Sequence, residues 1–306
     1  MGLDVWIPER TPLVERQRLD DVADVHVFPA AGPIPAALGH GDLLVAGYDA
    51  ARALEVAPHL HGLRFLQTFS AGVDRIVGRL PPGVTLCDAA GVHDVAVAEW
   101  VVMAILASRR RLPEQIDGQR SGTWRENRLT GDDLDGATVI LLGAGSIGSA
   151  LEARLAPFGV RFVRIARHQR PGVHQLADLP MLLPGADVVV ILLPLTSKTA
   201  GIFDAAAIAA MQPGALLVNA SRGKIVDTVA MTAAVLDGRI RVALDVTEPE
   251  PLPAGHPLWS APGALITPHI GSDVRREEER AWRLVHDQVA RLARDEPPIN
   301  VVVDGY

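Results

Sequence analysis

The sequence predicts an α/β chain of two doubly wound domains, one inserted into the other. Three observations carry that expectation. Residues 137–148 read Ala-Thr-Val-Ile-Leu-Leu-Gly-Ala-Gly-Ser-Ile-Gly, an apolar run that breaks into glycines where a strand would turn into a helix. From Ala137 onward, short apolar runs alternate regularly with helical stretches. Residues 1–92 repeat the alternation on a smaller scale.

In that first stretch Leu3 to Ile7, Val25 to Phe28, Leu43 to Ala46, Leu63 to Phe69 and Val84 to Cys87 read as strands. Thr11 followed by Pro12 reads as an N-cap and first helical residue, which places a helix in the first crossover. Ser70-Ala71-Gly72-Val73-Asp74 follows the fourth strand; its small residues would let backbone N–H groups gather around an anion, but taken alone the stretch reads more readily as a simple turn.

Ala96 to Arg110 carries Val97, Val101, Ala104, Ile105 and Ser108 on one face and reads as a long buried helix bridging the two domains, with Pro113 beyond its end. The run Arg109-Arg110-Arg111 suits the negative end of that helix. Residues 118–136, with Trp124, read as irregular chain. Six parallel strands are then expected at Thr138 to Leu142, Arg161 to Ala166, Asp187 to Leu193, Ala215 to Asn219, Val242 to Asp245 and Ala264 to Thr267. Gln175 to Leu183, Ala205 to Met211 and Thr228 to Leu236 are the clearest helices between them. Val274 to Arg294 has Trp282, Val285, Val289 and Leu292 at helical spacing and is expected to return to the first domain.

The glycines of residues 143–148 give the Rossmann turn its physical sense. Gly143 permits the tight turn, Gly145 lets the backbone approach a pyrophosphate, and Gly148 lets the helix pack closely, with the N–H groups of the helix start, at Ser146 and Ile147, aimed at phosphates. Ile147, Leu151, Leu155 and Phe158 follow at helical spacing and Gly159 stands where the helix should stop. The alternative is a plain strand-helix turn with incidental glycines.

Bulk properties exclude several function classes. With 306 residues, 48% hydrophobic, the chain can bury a large core, and a net charge of -7 argues against a nucleic-acid partner. One cysteine, Cys87, excludes an internal disulfide. The start carries Asp4 and Glu9 without an apolar leader, and runs such as Val188 to Leu195 are too short to span a bilayer, so a cytoplasmic protein with no membrane partner is expected.

Ligands of an open parallel sheet bind outside the carboxyl ends of its strands. Three loops there carry unusual residues: Asn219-Ala220-Ser221-Arg222-Gly223, Glu248-Pro249-Glu250-Pro251 and Pro268-His269-Ile270-Gly271. Arg222 can grip a carboxylate and polarise a neighbouring carbonyl, since a guanidinium offers paired donors and keeps its charge; the plainer reading is a surface loop arginine. His269 can give a proton to a carbonyl oxygen near neutral pH, against the plainer reading of a core or capping histidine. A carboxylate beside it would favour the imidazolium and orient the ring, and both Glu250 and Glu248 stand within reach of that role.

These stretches together resemble the D-isomer-specific 2-hydroxyacid dehydrogenase family, which includes glyoxylate/hydroxypyruvate reductases and phosphoglycerate dehydrogenase. The resemblance covers nearly the whole chain and rests on Ser70 to Asp74, Gly143 to Gly148, Leu193-Pro194-Leu195-Thr196, Asn219 to Gly223, Ala243 to Val246 with Glu250-Pro251, and Pro268 to Gly271. It implies a Rossmann dinucleotide-binding domain, residues 93–274, inserted into a smaller, discontinuous flavodoxin-like substrate domain, residues 1–92 plus 275–306. It implies Arg222 for substrate binding and polarisation, His269 as proton donor and Glu250, rather than Glu248, as its partner. Asp245 would hold the nicotinamide carboxamide, and the Ala71-Gly72-Val73 backbone the substrate carboxylate. Leu193, Pro194, Ala220, Ser221 and Gly271 complete the implied cofactor contacts; no metal is implied, and family members are usually dimers.

One departure bears on the cofactor. An NAD-binding unit expects an acidic residue about twenty residues past the glycines. Here Ala166 stands there, followed by Arg167, His168 and Arg170, and no Asp or Glu occurs from Ala153 to Ala177. Arginine at that place accommodates a 2′-phosphate, so NADP(H) is the expected cofactor, with NAD(H) also usable. The expected activity is reduction of a small 2-oxo acid such as glyoxylate or hydroxypyruvate. The rivals are a non-enzymatic nucleotide-sensing scaffold like the C-terminal-binding corepressors, and formate dehydrogenase, against which Glu250 argues because a glutamine stands there.

Overall fold

The computed structural model describes residues 2–36, 38–124, 130–167 and 170–303. The chain divides into two compact units, Met1–His93 with Val274–Tyr306, and Asp94–Asp273.

The first unit is a parallel sheet of β1 (Asp4–Pro8), β2 (Asp24–Phe28), β3 (Leu43–Gly47), β4 (Phe65–Thr68) and β5 (Thr85–Cys87), with helices α1 (Leu13–Asp20) and α2 (Ala50–Val56). Its order, β2-β1-β3-β4-β5, is the flavodoxin-like one. β3 is buried along its whole length because both faces are covered, as its unbroken run Leu-Leu-Val-Ala-Gly requires. The last helix, Glu277–Leu292, belongs to this unit: Trp282, Val285, Val289 and Leu292 pack with Leu3, Val5 and Ile7.

In the second unit α3 (Asp94–Arg109) and α4 (Leu112–Arg120) precede β6 (Thr138–Leu142), α5 (Ser146–Leu155), β7 (Arg161–Ile165), β8 (Val173–His174), α6 (Leu179–Leu182), β9 (Val188–Ile191), α7 (Ala205–Ala210), β10 (Leu216–Asn219), α8 (Thr228–Leu236), β11 (Arg241–Leu244) and β12 (Ala264–Ile266). The parallel sheet runs β8-β7-β6-β9-β10-β11-β12. The strand order reverses between β6 and β9, where a doubly wound sheet opens a crevice for its ligand. One face packs on α3 and α5 through Val97, Val101, Ile105, Val139 and Leu151; the other packs on α7 and α8 through Ile140, Ile208 and Val235.

Several local expectations are refined or corrected. The first crossover helix begins at Leu13, with Pro12 at its N-cap; Thr11 does not cap it, and its buried hydroxyl has no partner among the described residues. Helix α3 belongs to the second unit, where its apolar face packs on β6 and α5. Pro113 opens a further helix, α4, in its first turn, where a missing N–H costs nothing. A seventh strand, β8, adds to the six expected, too short to announce itself by periodicity. The stretch from Gln175 to Leu183 is also broken into short turns around α6.

Candidate active site

Every strand of the second sheet delivers its following loop to the same edge, so the site is built from consecutive loops at the carboxyl ends. The turn after β6 shows why its glycines are glycines. Gly143 has φ +115°, and a Cβ there would lie 2.8 Å from the Leu192 carbonyl oxygen. A Cβ on Gly148 would lie 2.4 Å from the Gly143 carbonyl oxygen. At Gly145 a Cβ would meet nothing within 4 Å, so the protein's own packing does not demand glycine there; the space it leaves faces outward. Gly145 caps α5 without a side-chain acceptor, which leaves the first-turn N–H groups of Ser146, Ile147 and Gly148 for an anion. The Ser146 hydroxyl donates to Asp94 Oδ1.

Beyond β7, Ala166 stands where a ribose-binding carboxylate would be, and Arg167 is exposed. Arg170 reaches back to the glycine turn and donates from Nη2 to the Ala144 carbonyl at 2.6 Å. His168 lies outside the described residues. A turn with open backbone donors at a helix start fits the pyrophosphate of a dinucleotide.

The Arg222 loop is tied down by Asn219, which is fully buried at the end of β10. Its Nδ2 donates to the Arg222 carbonyl at 3.0 Å, and its Oδ1 accepts from the Ser221 N–H at 3.1 Å. The Ser221 hydroxyl donates to the Leu193 carbonyl, and the Ala220 N–H to Ile191, which stitches this loop to the segment carrying Leu193 and Pro194. The half-buried Arg222 donates from Nη1 to the Ser221 carbonyl at 2.8 Å. Next to it, a Cβ on Gly223 would lie 2.0 Å from the Thr247 carbonyl oxygen, so the Arg222 loop rests directly on the loop that leads to Glu250.

His269 Nδ1 and Glu250 Oε1 lie 2.8 Å apart, with side chains 45% and 32% exposed. Glu250, not Glu248, is the carboxylate at this contact; the main-chain carbonyl of Glu248 accepts from the Thr228 hydroxyl at 2.8 Å. Asp245, 5% exposed, accepts at Oδ1 from the Thr267 hydroxyl (2.6 Å) and the Ile270 N–H (2.9 Å), and at Oδ2 from the Gly271 N–H (2.7 Å). Sequence reasoning named Asp245 but missed this network. It missed Asn219 as well, although an Asn at a strand end before Ala-Ser-Arg-Gly is the signal for a side chain that bonds the backbone two residues on.

In the first unit, Val73 is buried and Ala71 and Gly72 are half-buried. The Gly72 N–H donates to the Ser70 hydroxyl at 3.1 Å, so one of the three backbone donors expected for an anion already has an internal acceptor.

Comparison with known proteins adds the following. The family model described as D-isomer specific 2-hydroxyacid dehydrogenase, NAD binding domain, matches residues 102–271. Glyoxylate reductase/hydroxypyruvate reductase of Homo sapiens is 32% identical over a 317-residue alignment, covering 96% of this chain and 96% of that protein. Among solved structures, NADPH-dependent glyoxylate/hydroxypyruvate reductase of Sinorhizobium meliloti, determined with NADP and sulfate, is 26% identical, with a TM-score of 0.84 and coverage of 100% of both chains. A D-isomer specific 2-hydroxyacid dehydrogenase of Xanthobacter autotrophicus, determined with NADPH and MES, is 27% identical, with a TM-score of 0.83, and covers 100% of this chain and 99% of that one.

Proposed function

Since the chain belongs to the D-isomer specific 2-hydroxyacid dehydrogenase family and is an NAD(P)-dependent enzyme of that kind, we propose that it reduces a small 2-oxo acid of the glyoxylate/hydroxypyruvate type to the D-2-hydroxy acid, with NADPH preferred. The observation that carries the reading is the 2.8 Å contact between His269 Nδ1 and Glu250 Oε1 on loops next to the one that bears Arg222.

A bound reduced nicotinamide would supply the hydride. Arg222 binds the substrate carboxylate with its guanidinium and draws electron density from the adjacent carbonyl. Glu250 holds Nδ1–H of His269, which fixes the ring and leaves Nε2 to deliver a proton to the substrate oxygen as the carbonyl carbon is reduced. The glycine turn with Leu193, Pro194, Ala220, Ser221 and Gly271 would line the cofactor, and Ala71, Gly72 and Val73 would help bind the substrate carboxylate.

The NADPH preference is supported by Ala166 in place of a carboxylate and by Arg167 and Arg170 beside it; the Sinorhizobium meliloti relative, described as NADPH-dependent, agrees. We also propose a cytoplasmic homodimer. Its support is an apolar strip that α3 leaves exposed, with Val95 and Met103 and, just beyond, Leu112 at the start of α4. No helix among the described residues is long and apolar enough to cross a membrane. A panel of 2-oxo acids assayed with NADPH and with NADH tests the reading. Oxidation of NADPH with glyoxylate or hydroxypyruvate, at a higher kcat/KM than with NADH, is expected; no oxidation of either cofactor with any acid would refute it.

A further inference from the structure

We infer that Asp245 is a positioning residue for His269, holding the histidine's loop in its working conformation; this rests on the reading of His269 as proton donor. The backbone at His269 has φ +56°, in the left-handed region that side-chain-bearing residues seldom occupy. Such a conformation persists only where its surroundings enforce it. Asp245 supplies the enforcement from both sides. Its carboxylate takes the Thr267 hydroxyl two residues before His269 and the N–H groups of Ile270 and Gly271 after it, while its main-chain carbonyl takes the N–H of His269 itself at 2.8 Å.

Four donors from five consecutive residues therefore converge on one buried aspartate. Gly271 has to be glycine for this to happen, because a Cβ there would lie 2.7 Å from Asp245 Oδ2. An ionised carboxylate offers about four acceptor positions, so three of them are already used inside the protein. The chain's own loop thus takes most of the acceptor capacity of this side chain. Glu250 then fixes the ring of His269, and Asp245 fixes the backbone from which that ring projects.

The test compares Asp245→Asn and Thr267→Val with the wild type. Asparagine keeps the shape but puts an amide donor where the carboxylate accepts, and valine removes a single hydroxyl donor. Kinetics with NADPH and glyoxylate, cofactor Kd by fluorescence titration, and NMR signals of the His269 ring and of the Ile270 and Gly271 amides are measured on each; His269→Ala assigns the ring. Asp245→Asn should lower kcat by about tenfold or more, with cofactor Kd within about twofold, and should shift the ring signals and abolish the slow exchange of the two amides. Thr267→Val should do the same to a lesser degree. Unchanged ring signals and amide exchange in Asp245→Asn would overturn the inference, and a weakened cofactor Kd with undisturbed His269 signals would overturn it in favour of a cofactor contact. If the wild type reduces no 2-oxo acid, the reaction reading fails, and the NMR comparison still decides whether Asp245 holds the loop.

Discussion

Gly223 packs against Thr247 so closely that a single added methyl group would lie 2.0 Å from the Thr247 carbonyl oxygen. The residue before it is Arg222, and the loop it touches leads to Glu250, so this contact sets the spacing between two of the three candidate catalytic side chains. Gly223→Ala has to push the loops apart. It should cost about 1–3 kcal/mol of stability and lower kcat/KM, read by thermal denaturation and steady-state kinetics; an unchanged Tm and unchanged kinetics would show that the spacing is not constrained there.

Glu250→Gln keeps an oxygen that can accept from His269 Nδ1 but replaces the carboxylate with a neutral amide, so the bond that orients the ring loses its charge assistance. A fall in kcat of about tenfold to a hundredfold, with cofactor binding unaltered, is expected. Glu248→Gln, whose side chain is not the one beside the histidine, should leave kcat close to the wild-type value.

Cofactor choice should be reversible at the end of β7. Ala166→Asp combined with Arg170→Ala restores a ribose-binding carboxylate and removes a guanidinium that reaches the glycine turn. The ratio of kcat/KM for NADPH over NADH should drop by about tenfold to a hundredfold, the worth of one charge-assisted hydrogen bond. An unchanged ratio would move the discrimination elsewhere.

Met103 is 44% exposed in the middle of α3. Met103→Glu places a charge in the apolar strip proposed as the dimer surface, so light scattering should show the wild type as a dimer and the variant as a monomer at the same concentration. A wild-type monomer, or a variant that remains dimeric, would rule that surface out.

Acid should weaken one tie on the nucleotide side. The hydrogen bond from Arg164 holds the Glu152 carboxyl below its ordinary value, with partial burial opposing it. A carboxyl lowered by folding contributes stability above its unfolded pKa and loses it as pH falls through the folded value. Glu152→Gln should therefore lower Tm slightly at neutral pH, and the difference from the wild type should disappear in acid. The effect stays small because both side chains remain partly exposed to solvent.

The Rossmann half was legible because its signals are local. Gly143 to Gly148, the apolar strands and the loops ending in Arg222 and His269 are all read within a few residues. The start of α1 was misread because Thr11-Pro12 offers two adjacent residues that suit a helix entry, and the packing that buries Thr11 lies outside any local window. Helix α4 is not legible because Pro113 after the end of α3 suits a stop as well as the first turn of a new helix, and only the structure separates the two. The role of Asp245 was hidden for a different reason. Its partners sit 22 to 26 positions further along the chain and come together only when β11 and β12 pair.

The most direct test of the whole account is the oxidation of NADPH, followed by absorbance, by wild type and by His269→Ala in the presence of glyoxylate or hydroxypyruvate. The account predicts turnover by the wild type, and a loss of about a hundredfold or more in kcat for the variant while its NADPH Kd stays within about twofold. Near-normal turnover by a folded His269→Ala enzyme would contradict it.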